Sequence, residues 1–316
     1  MIVVLFIYSI NLVELNPTVQ LLQFLLLTNF PSGSSINYHE DKLYLLGDDA
    51  RNILVLDTRY QAADSIQLFD YPEKRIPKSQ KADFESSAIV TINGIDHLLV
   101  LGSGSTERRK NFLLIPLTSI GRIDHTKPLV SDNMKEFIAR LTKTSIRDVN
   151  IEGAFVVGQR MVLANRGIRN HSANYLILSD NNFWVQQDDA RLNIVTIELP
   201  EGKREFLGIS DLCYVESRDM FLFTFTSEAT TNAYDDGVIG SSYIGWVNNV
   251  ATKLNQTKLK LDGLIDLSGS SPEFKNQKIE GICMERESDD GLLIHLISDN
   301  DNGESKLFRI LLKFDR

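Results

Sequence analysis

Five positions in this sequence combine residue types and spacing that suit hard-cation chemistry: Ser34, Glu85, Glu152, Ser210 and Glu280. Each opens a short apolar stretch, as in Phe84-Glu85-Ser86-Ser87-Ala88, Ile151-Glu152-Gly153-Ala154-Phe155 and Ile279-Glu280-Gly281-Ile282-Cys283. The serine versions are Gly33-Ser34-Ser35-Ile36-Asn37 and Ile209-Ser210-Asp211-Leu212-Cys213. Three carboxylates brought to one place repel one another unless a cation or protons compensate. Ca²⁺ takes about six to eight oxygen ligands and accepts hydroxyls beside carboxylates, so a mixed Glu/Ser set suits it. No His or Cys occupies any of the five positions, which argues against Zn²⁺ or copper. The competing reading is structural: each glutamate caps a neighbouring strand start by accepting backbone N–H groups.

A polar cluster follows each of these segments, after a second apolar stretch. The clusters are Gly47-Asp48-Asp49, Gly102-Ser103-Gly104-Ser105, Asn165-Arg166-Gly167, Thr226-Ser227-Glu228 and Ser298-Asp299-Asn300-Asp301. They supply the second set of chemical candidates. Arg166 is the cation inside a cluster, and with Arg51, Arg108, Arg109 and Lys110 on nearby loops it is placed to hold an anionic ligand beside the metal. Asp48, Ser103, Asn165 and Asp299 are further substrate-binding candidates. Glu85 or Asp49 is the candidate general base for a metal-bound water.

The elements that must position these residues are strands. Short apolar runs bounded by Gly, Asn, Asp and Ser recur at Lys42–Leu46, Asn52–Leu56, His97–Leu101, Met161–Ala164, Met220–Phe225 and Leu292–Ile297. One segment, Asp132–Thr142, has helical spacing in Met134, Phe137, Ile138 and Leu141. The key positions advance by 51, 67, 58 and 70 residues from Ser34 to Glu280, a repeat that predicts four-stranded antiparallel units around a ring. The fold expected is an all-β propeller of five blades, with six as the alternative, in one domain over residues 1–316. The last blade shows only Ile282–Glu285, Leu292–Ile297 and Lys306–Lys313, so its fourth strand must come from Val19–Leu27 or Ile2–Ile10. Antiparallel pairing brings the start of each first strand beside the end of the second, so both residue sets meet at one mouth of the channel.

Composition narrows the classes. The chain has 316 residues, 43% apolar and 24% charged, with a net charge of −9 and a pI near 5.2. That balance, without a Lys/Arg-rich block, argues against a nucleic-acid partner. Two cysteines, Cys213 and Cys283, exclude a disulfide scaffold and a CxxC metal knuckle, and their apolar surroundings make them packing residues. The five histidines, at 39, 97, 125, 171 and 295, show no ligand spacing, and His171 alone is expected near the mouth. The loop Asn232–Ser242 lacks the ligand order of an EF-hand, and no nucleophile elbow, phosphate-binding loop or dinucleotide fingerprint occurs. The apolar opening Met1–Ile10 has no Lys or Arg ahead of it and no small-residue cleavage site before Asn16-Pro17. It reads as a strand, or as residues ahead of the authentic start, and not as a targeting signal. No stretch is long enough to span a bilayer as a helix. A monomer is expected, with the compartment open and the cytoplasm favoured over the periplasm.

The Phe-Glu-Ser and Ile-Glu-Gly strand starts resemble those of phytase-like and calcium-activated nucleotidase-like propellers. Phe30-Pro31-Ser32-Gly33-Ser34-Ser35-Ile36, followed by Leu45-Leu46-Gly47-Asp48-Asp49, is similar to an uncharacterised bacterial propeller family in the same neighbourhood. The resemblance implies a five-bladed propeller with calcium in the channel, held by Ser34, Glu85, Glu152, Ser210 and Glu280. It implies less about the reaction, because an Arg- and Asp-rich substrate set at each blade is missing. Three functions follow as expectations: a hydrolase of phosphate esters or anhydrides, a non-catalytic propeller with structural calcium, and a calcium-dependent esterase or lactonase. A binding propeller needs an exposed apolar patch, for which Asn182-Phe183-Trp184 is the candidate.

Overall fold

The structure, a computed structural model, describes residues 17–168, 170–200, 206–228, 239–300 and 302–314. Residues Ile2–Ile10, Asp301 and most of the loop Asn232–Ser242 lie outside that set.

The chain enters through β1 (Thr18–Leu27) and then builds its first blade from β2 (Gly33–His39), β3 (Lys42–Gly47), β4 (Asn52–Asp57) and β5 (Ala62–Gln67). The second blade is β6 (Phe84–Ile92), β7 (Ile95–Gly102), β8 (Asn111–Pro116) and β9 (Val130–Asn133). The third is β10 (Ile151–Val157), β11 (Arg160–Asn165), β12 (Asn174–Asp180) and β13 (Asn193–Glu198). β14 (Gly208–Val215), β15 (Met220–Glu228) and β16 (Ile239–Asn248) begin the fourth; β17 (Lys258–Lys260) then crosses to pair in parallel with β13, and β18 (Gly263–Asp266) completes the blade. The fifth is β19 (Lys278–Ser288), β20 (Gly291–Asp299) and β21 (Ser305–Lys313), with β1 antiparallel to β21. The expected five-bladed propeller is therefore present, and Val19–Leu27 lies in the strand that closes the ring. The parallel addition of β17 to the third blade was not anticipated.

The strands read as apolar runs because each blade is covered on both faces. Successive side chains of a strand point to opposite faces. On β3, Tyr44 and Leu46 pack toward the second blade, whereas Leu43 and Leu45 pack toward the fifth. The core is accordingly divided into five apolar layers, one between each adjacent pair of blades. Turn chemistry agrees with the hairpins: β2–β3 and β6–β7 are joined by Glu40-Asp41 and Asn93-Gly94, with positive φ at all four residues.

Two expectations change. The helix over Asp132–Thr142 is shorter, α1 (Lys135–Leu141), because Asp132 and Asn133 pair with β8 in β9. Phe183 and Trp184 form no surface patch: they are 0% and 6% exposed, and Phe183 packs on Phe137 of α1 with ring centroids 4.3 Å apart. The helix supplies the apolar cover that local sequence did not reveal. Cys213 and Cys283 are buried between the fourth and fifth blades and the fifth and first, as their surroundings implied.

Candidate metal centre at the channel mouth

Every inner strand breaks its pairing at the same place. Register slips between Gly33 and Ser35, Phe84 and Ser86, Ile151 and Gly153, Ile209 and Asp211, and Ile279 and Gly281. The residues passed over are Ser34, Glu85, Glu152, Ser210 and Glu280. A bulge leaves its extra residue out of the ladder and re-aims the side chain. The five candidates are thus the five bulge residues of one ring of inner strands.

A second recurring tie brings the polar clusters alongside. The N–H groups of Asp48, Ser103 and Arg166, each just past a second strand, donate to the carbonyls of Ser32, Asp83 and Asn150, each two residues before a bulge. Ser32 and Asp83 adopt positive φ of 50° and 57° to make this turn.

The glutamates converge. One carboxylate oxygen from each of Glu85, Glu152 and Glu280 lies within 4.8 Å of the others, and a second group of the same kind joins Glu85 to Asp48 and Asp83. Two oxygens on opposite sides of a calcium ion stand roughly 4.6–5.2 Å apart, so the first spacing is compatible with shared ligation. Glu152 and Glu280 are buried, and Glu85 is partly open to the mouth. Glu152 accepts the Asn150 side-chain amide at 2.5 Å, while Glu280 Oε1 has no hydrogen-bond donor among the described residues. None of the three accepts a backbone N–H among the described residues, unlike Asp211, which takes Leu212 N–H at 2.8 Å and Ile282 N–H at 3.0 Å. The capping role therefore belongs to Asp211, a residue not singled out from sequence.

Cations flank the cluster. Arg166, buried, turns inward with Nη1 3.8 Å from Glu152 Oε1 and 3.6 Å from Glu280 Oε1, and its Nη2 donates to Thr226 Oγ1 at 2.8 Å. Lys278 Nζ is 3.3 Å from Glu280 Oε1. Lys81 Nζ contacts Asp48 Oδ2 and lies 3.0 Å from Asp83 Oδ1; Arg109 Nη1 is 2.8 Å from Asp83 Oδ2.

The crowding shifts titration. Burial pushes the Glu152 carboxyl up to about 8, Arg166 pulling it down and Glu280 adding to the rise. Burial, then Asp83, Asp48 and Glu152, holds Glu85 well above the carboxylate range. Asp48 is pushed up to about 6 by burial against the pull of Lys81. Carboxylates this reluctant to ionise together are ones that a divalent cation would stabilise.

The remaining candidates turn elsewhere. Ser34 Oγ donates to Phe84 O at 2.7 Å, and Ser210 Oγ lies 3.2 Å from Thr226 Oγ1. Asp49 pairs with Arg75 at 2.6 Å, and Asp299 sits close enough to strengthen the charge on that guanidinium. Ser103 Oγ donates to Asp83 Oδ2 at 2.7 Å. Asn165 Oδ1 accepts Asn150 N–H at 2.8 Å and its amide donates to two carbonyls, so it holds the turn. Arg51 donates to Tyr71 O, Arg108 to Ser79 O, and Lys110 pairs with Glu107. His171 is exposed and lies 2.6 Å from Asp148 Oδ2.

Sequence reasoning missed Asp83, Asn150 and Lys278, which stand two residues before Glu85, Glu152 and Glu280. Period-two alternation marks Lys278, which lies in β19 with Glu280, whereas Asp83 and Asn150 precede β6 and β10 and carry no such signal. Lys81 reaches the site from a loop, and no periodicity marks it.

The described residues contain no helix long and apolar enough to cross a membrane. No curated protein matches the chain. Among the solved structures similar to it are two with a TM-score above 0.5. The Myxococcus xanthus glutaminyl cyclase is 12% identical with a TM-score of 0.52, over 95% of this chain and 98% of that one. The tail fiber of Staphylococcus aureus phage P68 is 11% identical with a TM-score of 0.51, over 93% of this chain and 52% of that one. At such identities the likeness concerns fold alone. Sequence assigns the family: residues 29–312 match the Family of unknown function (DUF6929), and the chain belongs to it.

Proposed function

We propose that the channel mouth is a calcium-type divalent-cation site, held by Glu85, Glu152 and Glu280, at which a small anionic molecule binds. The observation that carries this reading is the convergence of three bulge carboxylates within 4.8 Å. When bound, the cation would supply Lewis acidity and lower the pKa of a ligated water. Arg166 and Lys278, beside the same carboxylates, are placed to neutralise an anion that approaches the metal. Phosphate esters and anhydrides are the substrate class that suits a hard cation flanked by Arg and Lys. Glu85, the glutamate partly open to the mouth, is the residue to take a proton from water.

A second reading is non-catalytic: a ligand-binding propeller with structural calcium. It is favoured by the pairing of Asp49 with Arg75, which leaves the alternative base already engaged.

Calcium titration by calorimetry on chelator-stripped protein tests the site. One equivalent is expected in the wild type and none in Glu85→Gln/Glu152→Gln/Glu280→Gln. A wild type that takes up no divalent cation sinks the proposal. Calcium-dependent release of phosphate from nucleotides or aryl phosphates, abolished by Glu85→Gln, separates the hydrolase from the binding reading.

A further inference from the structure

The two carboxylate groups that share Glu85 are compensated differently. Around Glu152 and Glu280 the cations flank: Arg166 Nη1 stays at 3.6 and 3.8 Å, beyond hydrogen-bond distance, and Lys278 touches one side of Glu280. In the Asp48–Asp83–Glu85 group one ammonium bridges two carboxylates. Lys81 Nζ meets Asp48 Oδ2 and is 3.0 Å from Asp83 Oδ1, with only 10% of its side chain exposed. Burial works against its charge, but Asp48, Asp83 and Glu85 outweigh it, so the ammonium is held firmly in its charged form.

Neighbouring structure fixes Lys81 in this position. Its N–H donates to Pro77 O, which anchors the loop ahead of β6. Asp83 is in turn fixed by Arg109 Nη1 and Ser103 Oγ, at 2.8 and 2.7 Å, and by its left-handed backbone.

We infer that Lys81 is the built-in cation of the second carboxylate group, and that it limits the mouth to one divalent ion where the carboxylates alone would accept two. Lys81 is therefore a positioning residue. It holds Asp48 and Asp83 away from metal and leaves Glu85 to the Glu152–Glu280 side. An ammonium suits this place because it is a compact point charge with three donors.

The count of one in the wild type rests on the proposed metal site; the role of Lys81 does not. The test is calorimetric titration with Ca²⁺ alone, after chelation, of wild type, Lys81→Met, Lys81→Arg and Lys81→Met/Asp48→Asn. Lys81→Met keeps the stem and removes the charge, and it is expected to bind one equivalent more than wild type. Lys81→Arg is expected to restore the wild-type count, and Asp48→Asn to abolish the extra equivalent. Circular dichroism establishes that each variant is folded. A wild type that binds two equivalents overturns the inference without variants, as does a folded Lys81→Met with an unchanged count. No binding in the wild type with one equivalent in Lys81→Met would refute the proposed function while sustaining the role of Lys81.

Discussion

The hydroxyl of Tyr60 in the first blade lies 2.9 Å from Nδ1 of His295 in the fifth, across 235 residues of sequence. His295 Nε2 is in turn 2.9 Å from Glu285 Oε2, and Arg309 Nη2 lies 2.6 Å from the same oxygen. His295 is fully buried and Glu285 nearly so. The first and last blades are thus joined by a polar chain as well as by β1.

Tyr60→Phe leaves the buried imidazole without one partner. A loss of about 1–3 kcal/mol is expected from the unsatisfied group. Urea unfolding measures it, and a double-mutant cycle with His295→Leu should show coupling. Additive losses would mean that the contact contributes nothing to closure.

The same histidine makes a pH prediction. Burial lowers its pKa from the ordinary 6.5, although Glu285 pulls the other way. The unfolded chain then binds more protons than the folded one just below pH 6.5, so this group's contribution is present above that pH and declines as pH falls. An NMR titration should find the midpoint of His295 below the ordinary 6.5.

The mouth carboxylates predict the opposite slope. Glu152 and Glu85 are held above their usual 4.5, Glu152 at about 8. Without metal the folded state therefore binds more protons, and stability is lost as pH rises from 4.5 toward 8. Saturating calcium should remove that loss, because ligation favours the ionised carboxylates. Melting temperatures in chelator and in calcium, compared across this range, check the prediction; parallel curves would contradict it.

Gly281, next to the Glu280 bulge, lies against the neighbouring inner strand. A Cβ there would meet Ile297 Cγ2 at 2.7 Å and the Ile36 backbone nitrogen at 3.0 Å. Gly281→Ala should cost about 1–3 kcal/mol by forcing β2 and β19 apart. It should also weaken calcium uptake, since Glu280 moves with the bulge; unchanged stability and affinity would show that the strands can yield.

Phe183→Ala tests the correction made to the apolar patch. With the ring fully buried against Phe137, a loss of about 3–5 kcal/mol is expected in chemical denaturation. A surface residue would cost far less.

The sequence by itself determined the repeat, and with it a ring of four-stranded blades; that there are five and not six was decided by the strand pairing. An apolar run is a local property, and so is the Glu or Ser that stands just before each inner-strand run; the bulge that re-aims that residue belongs to the pairing. Glu85, Glu152 and Glu280 could therefore be named from spacing, because equivalent positions in a closed ring point to one axis. Which polar atoms meet there was decided by tertiary structure. Lys81 and Arg109 arrive on loops that carry no periodicity, Asp49 turns to Arg75 instead of the glutamates, and Phe183 is buried against Phe137 of α1. Charge pairing depends on distances of a few ångströms between distant segments, and a linear pattern constrains strand faces but not those distances.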